Sequence, residues 1–374
     1  MDILLAFFVA LLLHYLFFLL VIKCGIRKAK NFTALSNPNC TFSIVIPFRN
    51  ESENLPLILS DLREMAFGAN TPEVIFVNDH SDDKWEEHRA VSEDIPWIRF
   101  IDQKPGTAGK KKAIEYGIEH ATGEIILVTD ADCRLPKDWA TSLISRFDSE
   151  TGFVAGGVKY PVDGTFFKKF QAYEFGGLLL AGAGLAGAGK PVICSAASMA
   201  FRKELFEKVN GYEASKHLAS GDDEFLMRAI HRLGYKVRFV LDTNSTVTTN
   251  PSRDIKSFAA QRSRWASKGL HYEHPALIVM LVLIFLFYLS LFVSPFLSLF
   301  PGPGYIAYFV AAMIVKLVAE YLVLLEGGGI LFPKPGILLM ASFEIVQIPY
   351  IVLASLRGTL GGFTWKGREY SRCI

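Results

Sequence analysis

The chain has 374 residues, 51% hydrophobic and 20% charged, with 39 Lys and Arg against 37 Asp and Glu for a net charge of +2. That balance excludes a generic nucleic-acid binder, and the apolar content excludes a disordered chain. A mean hydropathy of +0.29 is high for a soluble enzyme, so the placement of the apolar residues is the first question.

They gather at the two ends. Residues 1–22 carry one charge, Asp2, and Ile3–Ile22 is long enough to cross ~30 Å of hydrocarbon. The run lacks the basic start and small-residue cleavage site of a signal peptide. Residues 1–23 are therefore expected to be a transmembrane anchor. Lys23, Arg27, Lys28 and Lys30 follow at once. Positive residues stay inside, which places the body on the cytoplasmic side.

Residues 31–270 form that body. Phe42–Ile46 reads as a buried strand, Asn54–Met65 as a helix, Val74–Val77 and Ile98–Ile101 as strands, Lys110–His120 as a helix and Ile125–Thr129 as a fourth strand. Strand–helix alternation implies an α/β domain whose parallel sheet is covered on both faces, with ligands beyond the carboxyl ends of the strands. The second half is less regular. Strands are expected at Val154–Gly157 and Ala196–Phe201, and helices at Lys203–Val209, Asp222–Leu233 and Pro251–Lys268. Gly182-x-Gly184-x-x-Gly187 matches the dinucleotide fingerprint by letter, but no strand leads in and no helix-then-acid unit follows. A close-packed or membrane-skimming helix is expected there instead.

Residues 275–356 are a C-terminal membrane region. Ala276–Leu297 and Tyr305–Leu325 read as spans, and Lys316 and Glu320 sit at i, i+4 inside the second, expected to pair or to face other protein. Gly336–Leu356 is a third candidate, weakened by Glu344, Gln347 and Pro349. A third full crossing would carry the basic tail at 357–374, with Arg357, Lys366, Arg368 and Arg372, to the outer side, against the positive-inside rule. Residues 336–356 are therefore expected to be re-entrant or interfacial, with a cytoplasmic tail. The five cysteines include no C-x-x-C pair, which suits a reducing compartment and gives no zinc signal.

The chemistry-bearing residues sit at strand ends. Val74–Val77 runs into Asn78-Asp79-His80-Ser81-Asp82-Asp83, and Ile125–Thr129 into Asp130-Ala131-Asp132. Two carboxylates one residue apart on a turn suit a hard divalent cation, Mg²⁺ or Mn²⁺. Such a pair alone is often only a solvated turn; its place after a buried strand is what marks it. Lys110-Lys111-Lys112 opens a helix, and a helix amino terminus with adjacent lysines attracts phosphate. Asp222, Asp223 and Glu224 fit the ordinary preference of acids for the first turn of a helix. Gln261, Arg264 and Trp265, at i, i+3 and i+4, share one helical face and fit a juxtamembrane amphipathic helix.

Read in order, Ile44-Val-Ile-Pro-Phe-Arg-Asn-Glu51, Val77-Asn-Asp-His-Ser81, Gly109-Lys-Lys-Lys-Ala113, Thr129-Asp-Ala-Asp132, Gly221-Asp-Asp-Glu-Phe225 and Gln261-Arg-Ser-Arg-Trp265 resemble glycosyltransferase family 2. The last fits the Q-x-x-R-W motif of membrane-embedded members such as polysaccharide synthases and ceramide glucosyltransferases. The resemblance spans residues 41–268. It implies a GT-A (Rossmann-like) nucleotide-sugar-binding domain that inverts the anomeric centre. By resemblance, Pro47, Glu51 and Asp79 shape the nucleoside pocket of a UDP-sugar, with Lys111 and Asp130 also on the donor side. Asp130 and Asp132 hold the metal, Asp223 is the catalytic base, and Asp222, Gln261, Arg264 and Trp265 serve acceptor and diphosphate. Asn78 departs from the pattern, replacing the first acid of a common Asp-Asp pair.

The expected function is transfer of a sugar from a UDP-sugar to a lipid or lipid-linked acceptor by an integral membrane enzyme. A processive polysaccharide synthase would need a translocation channel, for which the spans are few. A catalytically silent scaffold would be expected to lose acids that are present here.

Overall fold

The computed structural model describes residues 3–32, 40–67, 72–92, 95–215, 221–266, 272, 274–300, 304–327, 329–334, 336–360, 363–365 and 368–370. Helix α1 (Ile3–Lys30) ends on Arg27, Lys28 and Lys30, cations that complement the negative end of its dipole. The body then alternates β1 (Phe42–Phe48), α2 (Leu55–Glu64), β2 (Glu73–Asn78), α3 (Glu86–Ser92), β3 (Ile98–Asp102), α4 (Lys110–His120) and β4 (Ile125–Val128). Every residue of β1 and β4 is buried, as continuous apolar strands require when helices cover both faces of a sheet.

The chain continues through α5 (Trp139–Ile144), β5 (Thr151–Gly156), β6 (Val158–Lys159), α6 (Phe166–Gly187), β7 (Met199–Arg202), α7 (Lys203–Lys208), α8 (Glu224–Arg232), β8 (Lys236–Val240), β9 (Val247–Thr248) and α9 (Ile255–Ala266). The main sheet has the order β3-β2-β1-β4-β7-β5-β8. Its first four strands are parallel, as expected, but β7 runs antiparallel to both β4 and β5. The reason lies in the path. Met199, the first residue of β7, pairs with Val128 at the carboxyl end of β4. The chain between β5 and β7 therefore re-enters the sheet at its carboxyl end, and a strand entered from that end must run the other way. β8, which the sequence reading did not anticipate, closes the edge parallel to β5.

Helices α10 (Pro275–Leu297), α11 (Tyr305–Gly327) and α12 (Ile337–Leu360) complete the chain with the short antiparallel pair β10 (Phe363–Trp365) and β11 (Arg368–Tyr370). Among the described residues, α1, α10, α11 and Ile337–Arg357 of α12 are long and apolar enough to cross a membrane. α1 packs against α6, α10 and α11. The glycines of the Gly182-x-Gly184-x-x-Gly187 run lie inside α6 and let it approach other backbone: a Cβ on Gly184 would stand 2.5 Å from the Ile22 carbonyl, and Cβ atoms on Gly25 and Gly187 would strike the carbonyls of Gly184 and Gly25. The run is a close-packed helix face, as expected.

Lys316 is fully buried and pairs with Glu320 at 2.8 Å, and a third member, Glu344, arrives from α12. Residues 337–360 form one unbroken helix through Pro349 rather than a segment that turns back. Along one side α12 meets α6 and α9, with the Phe343 ring 5.8 Å from Phe170 and the Tyr350 ring 5.2 Å from Phe258. Glu344 reaches the other way, into the helix bundle. β10 lies against α9. Lys366, Arg372 and Cys373 lie outside the described residues; among the described residues Cys24, Cys40, Cys133 and Cys194 form no disulfide.

Candidate active site

The carboxyl ends of β1, β2 and β4 gather the first group of residues. Pro47 pairs with Val77 in the β1–β2 ladder, and the buried Asp79 follows β2. Asp79 Oδ1 accepts from the Gly109 N–H at 2.9 Å, joining the β2 end to the start of α4. Gly109 precedes that helix at φ 109°, a conformation side chains rarely adopt. Asn78 is engaged structurally: its Nδ2 donates to Asp102 at 2.9 Å and its Oδ1 accepts from the Ser81 N–H at 2.8 Å. Glu51 accepts from Asn54 Nδ2 at 2.6 Å, and its carbonyl receives the first amide of α2.

A cavity of about 620 Å³ opens beside these strand ends. Lys110, Asp130, Asp132, Asp222 and Asp223 line one part of it. Lys110 Nζ lies 2.6 Å from Asp130 Oδ1 and 3.4 Å from Asp222 Oδ2. Burial by itself would pull the Lys110 ammonium down, but Asp130, Asp222 and Asp223 outweigh it and hold the group well above its ordinary value. Lys111, the lysine singled out from the sequence, reaches away instead and donates to the Ser215 carbonyl at 2.6 Å and hydroxyl at 3.2 Å. Neighbouring helix positions point about 100° apart, so only one lysine of the run faces the acids, and it is Lys110.

Asp223 is the N-cap of α8. Its Oδ1 accepts from the Glu224 N–H at 2.7 Å and its Oδ2 from the Ala196 N–H at 3.2 Å. Asp223 therefore both caps the helix and lines the cavity. Glu224 accepts from the Tyr272 hydroxyl at 3.0 Å.

Gln261, Arg264 and Trp265 of α9 line the same cavity. Burial lowers the Arg264 guanidinium from its ordinary value, while Asp222, Asp223 and Asp130 pull it up. Arg262, which the sequence reading passed over, holds α9 in place. It is buried, donates from Nε to Glu174 of α6 at 3.1 Å, and lies 4.1 Å over the Trp265 ring. Tyr350 of α12 donates to the same Glu174 at 3.0 Å. Burial would lower the Arg262 guanidinium, but Glu174 outweighs it and holds the charge firmly. A signal was available: Glu174 is the only charged residue from 170 to 189, and an acid set in an apolar helix needs a partner.

The far wall is apolar. Ile278, Leu281 and Phe285 of α10, Ile351 and Ala354 of α12, and Leu179 of α6 continue the cavity away from the carboxylates. Pro47, Glu51, Asp79 and Lys111 are not among its lining residues. Among the described residues no group of three or more His, Cys, Asp or Glu side chains is placed to hold a metal alone. Asp130 and Asp132 do share the cavity, and one or two carboxylates completed by substrate phosphates are what Mg²⁺ usually takes. The donor set therefore fits a divalent cation bound jointly with a diphosphate.

Residues 43–209 match the family Glycosyl transferase family 2. The chain is 29% identical over 244 residues to the probable glycosyltransferase YdaM of Bacillus subtilis, covering 62% of this chain and 55% of that protein. It is 30% identical over 115 residues to the dolichol-phosphate mannosyltransferase of Pyrococcus furiosus, covering 30% of this chain and 32% of that one. The chain thus spans about half or less of the length of these relatives. A solved structure, the mannosyltransferase PcManGT of Pyrobaculum calidifontis in complex with GDP-Man and Mn²⁺, superposes over 95% of this chain and 98% of its own with a TM-score of 0.60 at 21% identity, which shows a shared fold. Residues 43–209, which carry β1 to β7 and the acids Asp130 and Asp132 past β4, are thus a region that matches the family 2 glycosyltransferases.

Proposed function

We propose that this chain transfers a sugar from a nucleoside-diphosphate donor to a lipid or lipid-linked acceptor at the cytoplasmic face of a membrane, inverting the anomeric centre. One observation carries the reading: a single cavity has four aspartates with Lys110 and Arg264 at one end and side chains of the apolar helices α10 and α12 at the other. A polar donor and an apolar acceptor can meet there without either leaving its own environment.

In this reading the diphosphate lies against Lys110 at the start of α4 and against Arg264, whose charges stabilise the leaving group as it develops negative charge. A divalent cation, Mg²⁺ or Mn²⁺, held by Asp130 and Asp132 would add positive charge at the same place. Asp223 receives the proton of an attacking hydroxyl, its carboxylate held in position by two backbone amides. Arg262 and Glu174 keep the face bearing Gln261, Arg264 and Trp265 turned to the cavity. Pro47, Glu51 and Asp79 hold the nucleoside at the neighbouring strand ends. The base is proposed to be uracil; the structural neighbour is described with a guanine nucleotide sugar, so the donor panel must contain both.

The dolichol-phosphate mannosyltransferase among the relatives supports a lipid-phosphate acceptor as a second reading. An acceptor phosphate is already ionised and needs a cation more than a base. The basic end of α1 supports the cytoplasmic placement. α12, with one side on α6 and α9 and the other on the bundle, supports an interfacial position that keeps the tail beside the body. A processive synthase is the rival within the family. The test is transfer from labelled UDP- and GDP-sugars to membrane lipid extract with product length resolved: one added sugar supports the proposal, a ladder supports the synthase, and no transfer with any donor removes the enzyme reading.

A further inference from the structure

A second cavity, of about 220 Å³, lies where the ends of α1 and α6 meet β8. It shares no lining residue with the catalytic cavity. Among the described residues, Lys28, Arg146 and Arg238 line it and no acid does. Phe32 organises the two arginines: the Arg238 guanidinium lies 4.0 Å over its ring and that of Arg146 lies 5.8 Å from it. The acids that steady them stand outside the recess, Asp148 at 3.2 Å from Arg238 and Asp242 at 3.6 Å from Arg146. Among the described residues, Arg146 Nε is buried without a hydrogen-bond partner. Buried donors are nearly always paired, so a donor left over in a cationic recess points to an anionic acceptor.

We propose that this recess binds the phosphate-bearing headgroup of an anionic lipid. The source follows from depth, and it rests on α1 being a membrane span. The apolar run ends at Ile22, and Lys28 lies six residues on, about 9 Å along the helix axis. That is just past the headgroup layer, about 5–8 Å thick on each side, into which the long lysine side chain can reach back. Basic recesses at this level on the cytoplasmic side suit lipid phosphates. A lipid held here would tie α1 and the edge strand β8 to the bilayer and so fix the tilt of the catalytic domain.

The experiment uses the full chain, purified in mild detergent, delipidated and titrated with short-chain phosphatidylglycerol, short-chain phosphatidylcholine or inorganic phosphate, with binding read by native mass spectrometry. The unaltered chain binds phosphatidylglycerol and not phosphatidylcholine. Lys28→Gln, on the exposed face of α1, weakens binding about fivefold, and Lys28→Gln with Arg146→Gln weakens it at least about tenfold. Lys23→Gln, on the same helix but outside the recess, changes it less than about twofold. Unchanged binding by both Lys28 variants, or an equal loss in Lys23→Gln, overturns the proposal. Inorganic phosphate binding as tightly as the lipid overturns the lipid source. Alkaline extraction of native membranes reports separately on whether α1 is embedded, so a failed membrane placement is distinguishable from a failed headgroup site.

Discussion

Lys110 Nζ sits 2.6 Å from Asp130 and 3.4 Å from Asp222, one ammonium shared by carboxylates from the end of β4 and from just before α8. It bridges the acids proposed for the donor diphosphate and those proposed for the acceptor. Lys111 is one residue away and bonded to Ser215. Lys110→Gln is expected to cost about ten- to a hundredfold in kcat/KM, the range for a lost charge-assisted hydrogen bond. Lys111→Gln should leave the kinetics within about twofold and show in thermal stability instead. Steady-state kinetics of the two variants, measured side by side, check this.

Asp223 serves both as the cap of α8 and as the proposed base. Asn caps a helix about as well as Asp, so Asp223→Asn should keep the melting temperature while removing the proton acceptor. With a hydroxyl acceptor, turnover should fall ~10²–10⁴-fold with nucleotide binding retained. With a lipid-phosphate acceptor the loss should be small, because no proton has to be removed. Turnover of both acceptor classes by this one variant separates the two readings of the acceptor.

The paired aspartates predict a dependence on divalent metal. Chelation should abolish transfer, and Mn²⁺ or Mg²⁺ should restore it. Asp130→Asn and Asp132→Asn should each weaken nucleotide-sugar binding in the presence of metal and leave metal-free nucleotide binding nearly unchanged. Isothermal titration with and without metal is the measurement.

Gly25 and Gly184 let α1 and α6 touch backbone to backbone. Gly25→Ala should destabilise the chain by about 1–3 kcal/mol, the usual cost of overpacking. Gly177, in the same α6, faces open space, and Gly177→Ala should be neutral or slightly stabilising through better helix propensity. Thermal melts of the two purified variants decide it.

Glu73 provides a pH test remote from the active site. Burial alone would raise its carboxyl, but hydrogen bonds from Ser43 and Thr122 and the charge of Arg99 outweigh it and hold the group below its ordinary value. A depressed acid contributes stability that is present above its unfolded value and lost as pH falls through the folded one. Glu73→Gln should therefore lower the melting temperature near neutral pH. The gap between variant and unaltered chain should close as pH drops below about 4. Melts across pH 3 to 7 measure that gap.

Much of this protein was legible in its residues. Apolar runs that exceed the bilayer thickness, basic residues at their ends, strand–helix alternation and acids just past buried strands are local patterns. Local patterns follow from solvation and backbone geometry, which act on neighbours in sequence. For that reason α4 begins and ends at Lys110 and His120, as the sequence indicates. Tertiary structure decided what depends on contacts between distant segments. The reversed direction of β7 follows from the end at which the chain re-enters the sheet. Which lysine of three faces the acids follows from the phase in which α4 docks on β1 and β2. The union of Arg262 with Glu174 and Tyr350, and of Lys316 with Glu344, joins charges that sequence shows only as isolated costs. A buried charge announces that it needs a partner, but only the packed chain determines which one it meets.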